Sequence, residues 1–213
     1  HPVNIARREK GLNTANHIWL WGEGTRPAVE NFKEKNGVSG CVGSAVDLLK
    51  GIAVGTSMKV ITVDGANGGL DTNYEGKAQA AVDSRLKDGC DFAYIHVEVP
   101  DEMGHQGKVH EKVQAIEDLD RRLIAPVKQA MEDAGEDFRM LVLPDHPTPL
   151  RIRTHSPEPV PYILYDSTCQ AKKLARYSEA EAAATGIQLK AGDVSYRCNM
   201  VAYEDNDLPF EEK

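Results

Sequence analysis

The chain has 213 residues, 41% of them hydrophobic, and a formal net charge of −8. That length supports one sizeable core with at most a small appendage. No block of Lys and Arg stands out, which speaks against nucleic-acid binding through phosphate contacts, and no apolar run approaches a membrane span or a signal peptide. Cys41, Cys90, Cys169 and Cys198 are scattered without a CxxC pair, the usage of reduced thiols in a cytoplasmic protein. The chain starts at His1 rather than Met, which reads as a processed, truncated or fragmentary polypeptide.

Residues 1 to 16 read as a polar, irregular arm, with Asn4, Arg7 and Asn16 as possible ligand groups. His17 to Trp21 is a short apolar strand entering the loop Gly22-Glu23-Gly24. Pro27 to Lys35 is expected to be a helix opened by proline in its first turn. Val38 to Ala45 reads as a strand and Val46 to Ala53 as a helix with Val46, Leu49 and Ala53 on one face. Met58 to Val63 is a strand running into Asp64-Gly65-Ala66-Asn67-Gly68-Gly69, where glycines let the backbone approach a ligand closely. That loop is no Walker or dinucleotide fingerprint.

Tyr74 to Leu86 reads as a helix and Cys90 to Val99 as a strand covered on both faces. Lys108 to Ala134 carries the longest helical period, with Val109, Val113, Ile116, Leu119, Leu123 and Val127 at spacings of three and four. Met140 to Leu143 and Pro161 to Tyr165 are further strands. Tyr177 to Ala184 is a helix stopped at Gly186. A strand-like run, Val194 to Tyr203, precedes an acidic end. Strands alternating with helices predict an α/β fold: a three-layer sandwich on a largely parallel sheet, with ligands beyond the carboxyl ends of the strands.

Three polar knots stand out: Asp101 to His105, Asp145-His146, and His155. Carboxylate oxygens and imidazole nitrogens together suit a borderline divalent cation, manganese or zinc better than calcium. An Asp-His pair beside a proline also makes an ordinary turn, with the Asp capping a backbone amide. The loops ending at Gly24, Gly69, His105 and His146 each follow an expected strand, so a parallel sheet would deliver them to one edge. Five such ligands exceed one tetrahedral site, and two ions about 4 Å apart would clamp a displacement at phosphorus. A water-activating hydrolase would use the same ions. Glu98 and Glu102 read as orienting or surface groups, His96 as a satisfied core histidine, and His110 as a solvated one.

The strings "AN.IWLWGEG", "SAVDLLKGIA", "GLDTNYEGKA", "DFAYIHVEVPDEMGHQG", "VLPDHPTP" and "RTHSPEPVPYILY", between residue 1 and about 186, resemble the archaeal-type, 2,3-bisphosphoglycerate-independent phosphoglycerate mutases of the alkaline phosphatase superfamily. The resemblance implies an isomerase that interconverts 3-phosphoglycerate and 2-phosphoglycerate through a phosphoserine. It implies two divalent ions, manganese preferred, with magnesium, zinc or cobalt as alternatives. Asp101, His105 and His155 would hold one ion; Asp145 and His146 would be part of the second site. Lys50 is a candidate for touching phosphate, and Arg197 for meeting a substrate carboxylate or phosphate. The implied partner is a small phosphoglycerate, with neither nucleic acid nor membrane.

The departures from that family are specific. Its first metal-binding aspartate and its nucleophilic serine in a Pro-Gly-Ser-Asp setting have no counterpart here; Ser39, Ser44 and Ser57 lack that setting. Asn67 stands where the family usually carries threonine. The division expected is a partial metal-binding core over 1–186 and a tail over 187–213 that resembles the start of the family's inserted substrate-binding domain. Alternatives are a homoserine kinase-like enzyme or phosphatase on the same scaffold, or a non-catalytic metal-binding remnant.

Overall fold

The computed structural model of the chain describes residues 1–20, 23–169 and 176–189. Helix α1 (Pro2–Glu9) opens it, where the sequence suggested an irregular arm. The three polar groups named there serve the arm itself. Asn4 exchanges hydrogen bonds with the Ala15 backbone, Arg7 donates to the Asn13 carbonyl, and Asn16 Oδ1 lies 2.7 Å from His17 Nδ1. The expected strand at His17 does not form over the described residues to Leu20: Ile18, Trp19 and Leu20 are 88%, 86% and 85% exposed, without regular structure. Apolar β-formers make a strand only when a neighbouring strand accepts their backbone.

Helix α2 (Phe32–Asn36) is shorter than Pro27 predicted. Asn31, not the proline, sets its start, because the Asn31 side chain accepts from the backbone of Lys33 and Glu34. Strand β1 (Gly40–Gly43), helix α3 (Asp47–Gly55), strand β2 (Lys59–Ile61), helix α4 (Tyr74–Leu86) and strand β3 (Phe92–Ile95) follow. The strands form a parallel sheet in the order β2-β1-β3, with Val42 opposite Val60 on one side and Tyr94 on the other. Helix α4 matches its sequence expectation residue for residue. Asn73 caps it by accepting from Gly76, and Tyr74, Ala78 and Ala81 recur along its buried face.

The segment after β3 was expected to be a loop and is helix α5 (Val99–His105), with Pro100 in its first turn. Then come α6 (Val109–Leu119), a π-helical turn (Asp120–Ile124) and α7 (Ala125–Asp133), one unbroken helical run over the expected stretch with a π bulge in its middle. Pro126 has no N–H to give to Arg122, and the Ala125 N–H instead reaches back five residues to the Asp120 carbonyl.

Strands β4 (Arg139–Val142) and β5 (Ile163–Asp166) form a separate antiparallel pair, with Arg139 opposite Asp166. The mixed α/β class holds, but the Asp145-His146 knot follows a strand outside the three-stranded parallel sheet. Helix α8 (Glu179–Ala184) is the last described element. Arg197, Cys198 and the run Val194 to Tyr203 lie outside the described residues, as does Gly22.

The principal core lies where α4, α5, α6 and the π turn meet. Tyr74, Ala78, Val99, Met103, Ala115 and Leu123 are buried together, with Ile95 and Val97 packed against them. This packing anchors α5 on its apolar side and leaves its polar side to the histidines.

Candidate metal centre

Asp101 and His105 are four apart on α5 and therefore share one face. His155 comes from the irregular connection between β4 and β5. The ligand atoms of these three residues lie within 4.8 Å of one another. His105 Nε2 is 3.3 Å from Asp101 Oδ2, His155 Nε2 is 3.4 Å from Asp101 Oδ1, and the two imidazole nitrogens face each other at 3.2 Å.

His105 Nδ1 stands 3.0 Å from the Arg153 carbonyl, which can only accept. A ring that donates from Nδ1 to this carbonyl presents its Nε2 lone pair toward His155 and Asp101. Such a backbone carbonyl behind a histidine is how metal-binding imidazoles are usually oriented. Converging lone pairs and a carboxylate are the donor set a borderline divalent cation requires, so the residues fit a metal ion. Arg153 holds its carbonyl there from the left-handed region, at φ 54, a conformation costing of order 1–3 kcal/mol for a residue with a side chain. Gly107 makes room for the Arg153 side chain, since a Cβ at 107 would come within 2.6 Å of Nε.

Asp145 and His146 stand beside this trio. The His146 ring stacks on His155 with centroids 3.7 Å apart, and His146 Nε2 is 3.4 Å from Asp145 Oδ2. Asp101, His105 and His155 thus converge, His146 lies against His155, and Asp145 lies beside His146; the five come from a helix and two turns of the long β4–β5 connection. Lys50 is elsewhere in its contacts: on α3, its Nζ lies 3.2 Å from Asp47. The Gly-rich loop lies against the start of α5, because a Cβ at Gly68 would lie 3.2 Å from Glu98 Oε2 and 3.7 Å from Glu102 Cγ.

Several groups were not legible as site residues. Thr148 is buried, donates its hydroxyl to Asp101 Oδ1, and places its oxygen 3.4 Å from His146 Nδ1. Lys112, on α6, donates to the Thr148 carbonyl at 2.8 Å; burial lowers its pKa, against the opposing pull of the Asp101 carboxylate. Lys77 is buried on α4 and reaches the His96 carbonyl at 3.4 Å, and burial lowers its pKa against the opposing charge of Glu98. His96 is the satisfied histidine its position predicted, with Ser44 Oγ 3.2 Å from Nδ1. Burial pushes its pKa down, opposed chiefly by Glu98 and Asp145. His110 is exposed on α6. The signal for Thr148 lay in the string Asp145-His146-Pro147-Thr148, where a hydroxyl sits next to two ligands. Nothing local marks Lys112 or Lys77.

A cleft lined by Glu75, Gln79, Arg121 and Arg122 opens between α4, the π turn and α7 and includes none of these site residues. No helix among the described residues is long and apolar enough to cross a membrane.

A mixed α/β fold with a converged Asp/His cluster is in keeping with the family the chain belongs to, the metalloenzyme superfamily, whose family model matches residues 2–189. More particularly, it is similar to enzymes named 2,3-bisphosphoglycerate-independent phosphoglycerate mutase. That of Methanosarcina acetivorans is 45% identical over 196 residues, covering 91% of this chain and 49% of the relative. That of Methanosarcina barkeri is 48% identical over 196 residues, with the same coverage of 91% and 49%. Among solved structures, the PH0037 protein from Pyrococcus horikoshii superposes with a TM-score of 0.71 at 33% identity, covering 85% of this chain and 47% of that one. The chain spans about half the length of the curated relatives it matches.

Proposed function

We propose that this chain is the metal-binding part of a phosphoglycerate mutase that interconverts 3-phosphoglycerate and 2-phosphoglycerate without a bisphosphoglycerate cofactor. The observation that carries the reading is the convergence of Asp101, His105 and His155 within 4.8 Å in a chain with such relatives. On this reading Asp101, His105 and His155 hold one divalent ion, while Asp145 and His146 contribute to a second. Manganese suits the mixed oxygen and nitrogen donors. The ions supply the positive charge that a phosphoryl group in transfer demands. That supply matters in a chain whose own charge is −8.

The chain's residues do the holding. Asp101 presents both carboxylate oxygens to the imidazoles, Arg153 meets His105 Nδ1 with its carbonyl, and the His146–His155 stack keeps two rings in register. Phosphoryl transfer depends chiefly on such positioning and on charge. The serine that would carry the phosphoryl group has no counterpart in the 213 residues, so this polypeptide by itself is expected to have little or no mutase activity.

Two measurements test the reading. Purified chain should retain two equivalents of divalent metal and lose metal when Asp101 and His105 are both changed to alanine. A chimaera carrying residues 1–189 in place of the matching segment of the Methanosarcina acetivorans relative should convert 3-phosphoglycerate to 2-phosphoglycerate. Phosphorylation of homoserine by ATP, or phosphatase activity alone, would replace this reading with another enzyme of the same scaffold. A wild-type chain that takes up no metal would make it a structural remnant.

A further inference from the structure

We infer that the outward face of α3, together with Ile18-Trp19-Leu20, is the surface on which the remainder of a longer polypeptide packs: the half of its relatives that this chain does not span. The inference rests on the reading of the chain as part of such an enzyme. Helix α3 lies against β1 and β2, and its Ala53 is fully buried. The opposite side carries Leu48, Gly51, Ile52 and Gly55, whose spacings of three and four make one stripe. On a helix that faces water this stripe would be polar. Here Leu48 is 71% exposed and Ile52 51%. A Cβ at Gly51 would meet nothing within 4 Å, so the middle of the stripe is open to an approaching backbone. At its far end Val29 would lie 3.2 Å from a Cβ on Gly55, and it extends the apolar strip beyond the helix.

Charge and size select the occupant. Lys50, the one cation on α3, lies 3.2 Å from Asp47, so the face lacks the basic border with which a helix holds an anionic lipid surface. A stable interface between separate chains takes about 20–30 residues a side, far more than this stripe offers. A tethered segment needs much less, because the covalent link removes most of the entropy lost on association. The relatives supply such a segment: the match covers 49% of the Methanosarcina acetivorans enzyme.

Two further observations agree. Ile18, Trp19 and Leu20 are strand formers left exposed, with no strand partner among the described residues. Strand β2, beside α3, is an edge of the three-stranded sheet and offers backbone groups for pairing. The location also serves the site. Helix α3 starts just after the carboxyl end of β1, and β3, parallel to β1, leads from the same edge into α5 and its Asp101. A half seated on α3 is therefore delivered to the edge that carries the metal ligands.

The experiment compares the 213-residue chain with a chimaera carrying residues 1–189 in place of the matching segment of the Methanosarcina acetivorans relative. In Ile52→Cys proteins, alkylation of the new thiol by iodoacetamide is followed by mass spectrometry of its peptide. It should be fast in the chain alone and at least about tenfold slower in the chimaera, where a covered thiol reacts only through local opening. The Trp19 emission, taken as the difference from Trp19→Phe, should move to shorter wavelength in the chimaera. Ile52→Glu should leave the urea midpoint of the isolated chain unchanged and lower that of the chimaera, and Ile52→Leu should keep both. Equal alkylation in the two proteins overturns the proposal. Slow alkylation in the chain alone overturns it too, by assigning the face to a second copy or to residues 190–213. A chimaera that fails to fold while the isolated chain folds also counts against it, since the two halves then do not fit. A chimaera with α3 covered but without mutase activity sinks the functional reading instead and leaves the docking face standing.

Discussion

Gly104→Ala separates local helix propensity from tertiary fit, because the two predict opposite signs. Gly104 lies inside α5, where alanine is favoured over glycine by about 1 kcal/mol. The Cβ it adds would lie 2.7 Å from the Thr148 carbonyl oxygen, 3.0 Å from Thr148 Cγ2 and 2.8 Å from Lys112 Nζ. The lysine tip can swing away; the carbonyl is backbone and has to move with its chain. Overpacking of this kind costs about 1–3 kcal/mol. The displaced carbonyl also weakens its bond from the Lys112 ammonium, and bonds to charged groups contribute about 1.5–3 kcal/mol. Partial relaxation at both places leaves a net destabilisation of about 2–3 kcal/mol.

With a urea dependence of about 2 kcal/mol per molar, the unfolding midpoint of metal-free protein should fall by about 1–1.5 M. Metal affinity should fall with it, since Thr148 carries its hydroxyl to Asp101. An unchanged or raised midpoint would refute the reasoning, for it would mean that Thr148 and Lys112 yield without cost.

Tyr74 is fully buried and its hydroxyl has no hydrogen-bond partner among the described residues, so Tyr74→Phe should be neutral or stabilising by up to about 1 kcal/mol in urea unfolding, whereas Tyr74→Ala should cost about 3–5 kcal/mol. The same burial, with Asp118 nearby, pushes the Tyr74 pKa up to about 12, so no tyrosinate absorbance from it is expected below strongly alkaline pH. Asp166 has its pKa drawn from 3.8 down to about 2, above all by the Thr168 hydroxyl, with Arg139 adding to the lowering against the opposing effect of burial. A depressed carboxylate pKa stabilises the fold above the unfolded value and loses that stabilisation as pH falls from about 4 to about 2. Asp166→Asn should therefore cost about 1–2 kcal/mol at neutral pH and flatten the dependence of stability on pH in that window; an unaltered slope would contradict the assignment.

Much of this protein is written locally. Asn73 and the run of small residues behind it specify α4 to the residue, because a side-chain cap and a helical period act within a few positions. Asp101 and His105 share a face for the same reason, whether their segment is taken for a loop or, as it is, a helix. The five metal-ligand candidates were legible as residue types in short strings. Tertiary structure decided what local chemistry leaves undetermined. Ile18-Trp19-Leu20 has strand composition but no strand partner among the described residues, and β4 pairs antiparallel with β5, because backbone donors choose partners across the fold rather than along the chain. His155 reaches Asp101 only because the connection from 143 to 162 folds back onto α5. His105 and His146 are met on Nδ1 by a carbonyl at Arg153 and a hydroxyl at Thr148, both brought there by the fold. A lone pair has a direction, and only the packed backbone sets that direction.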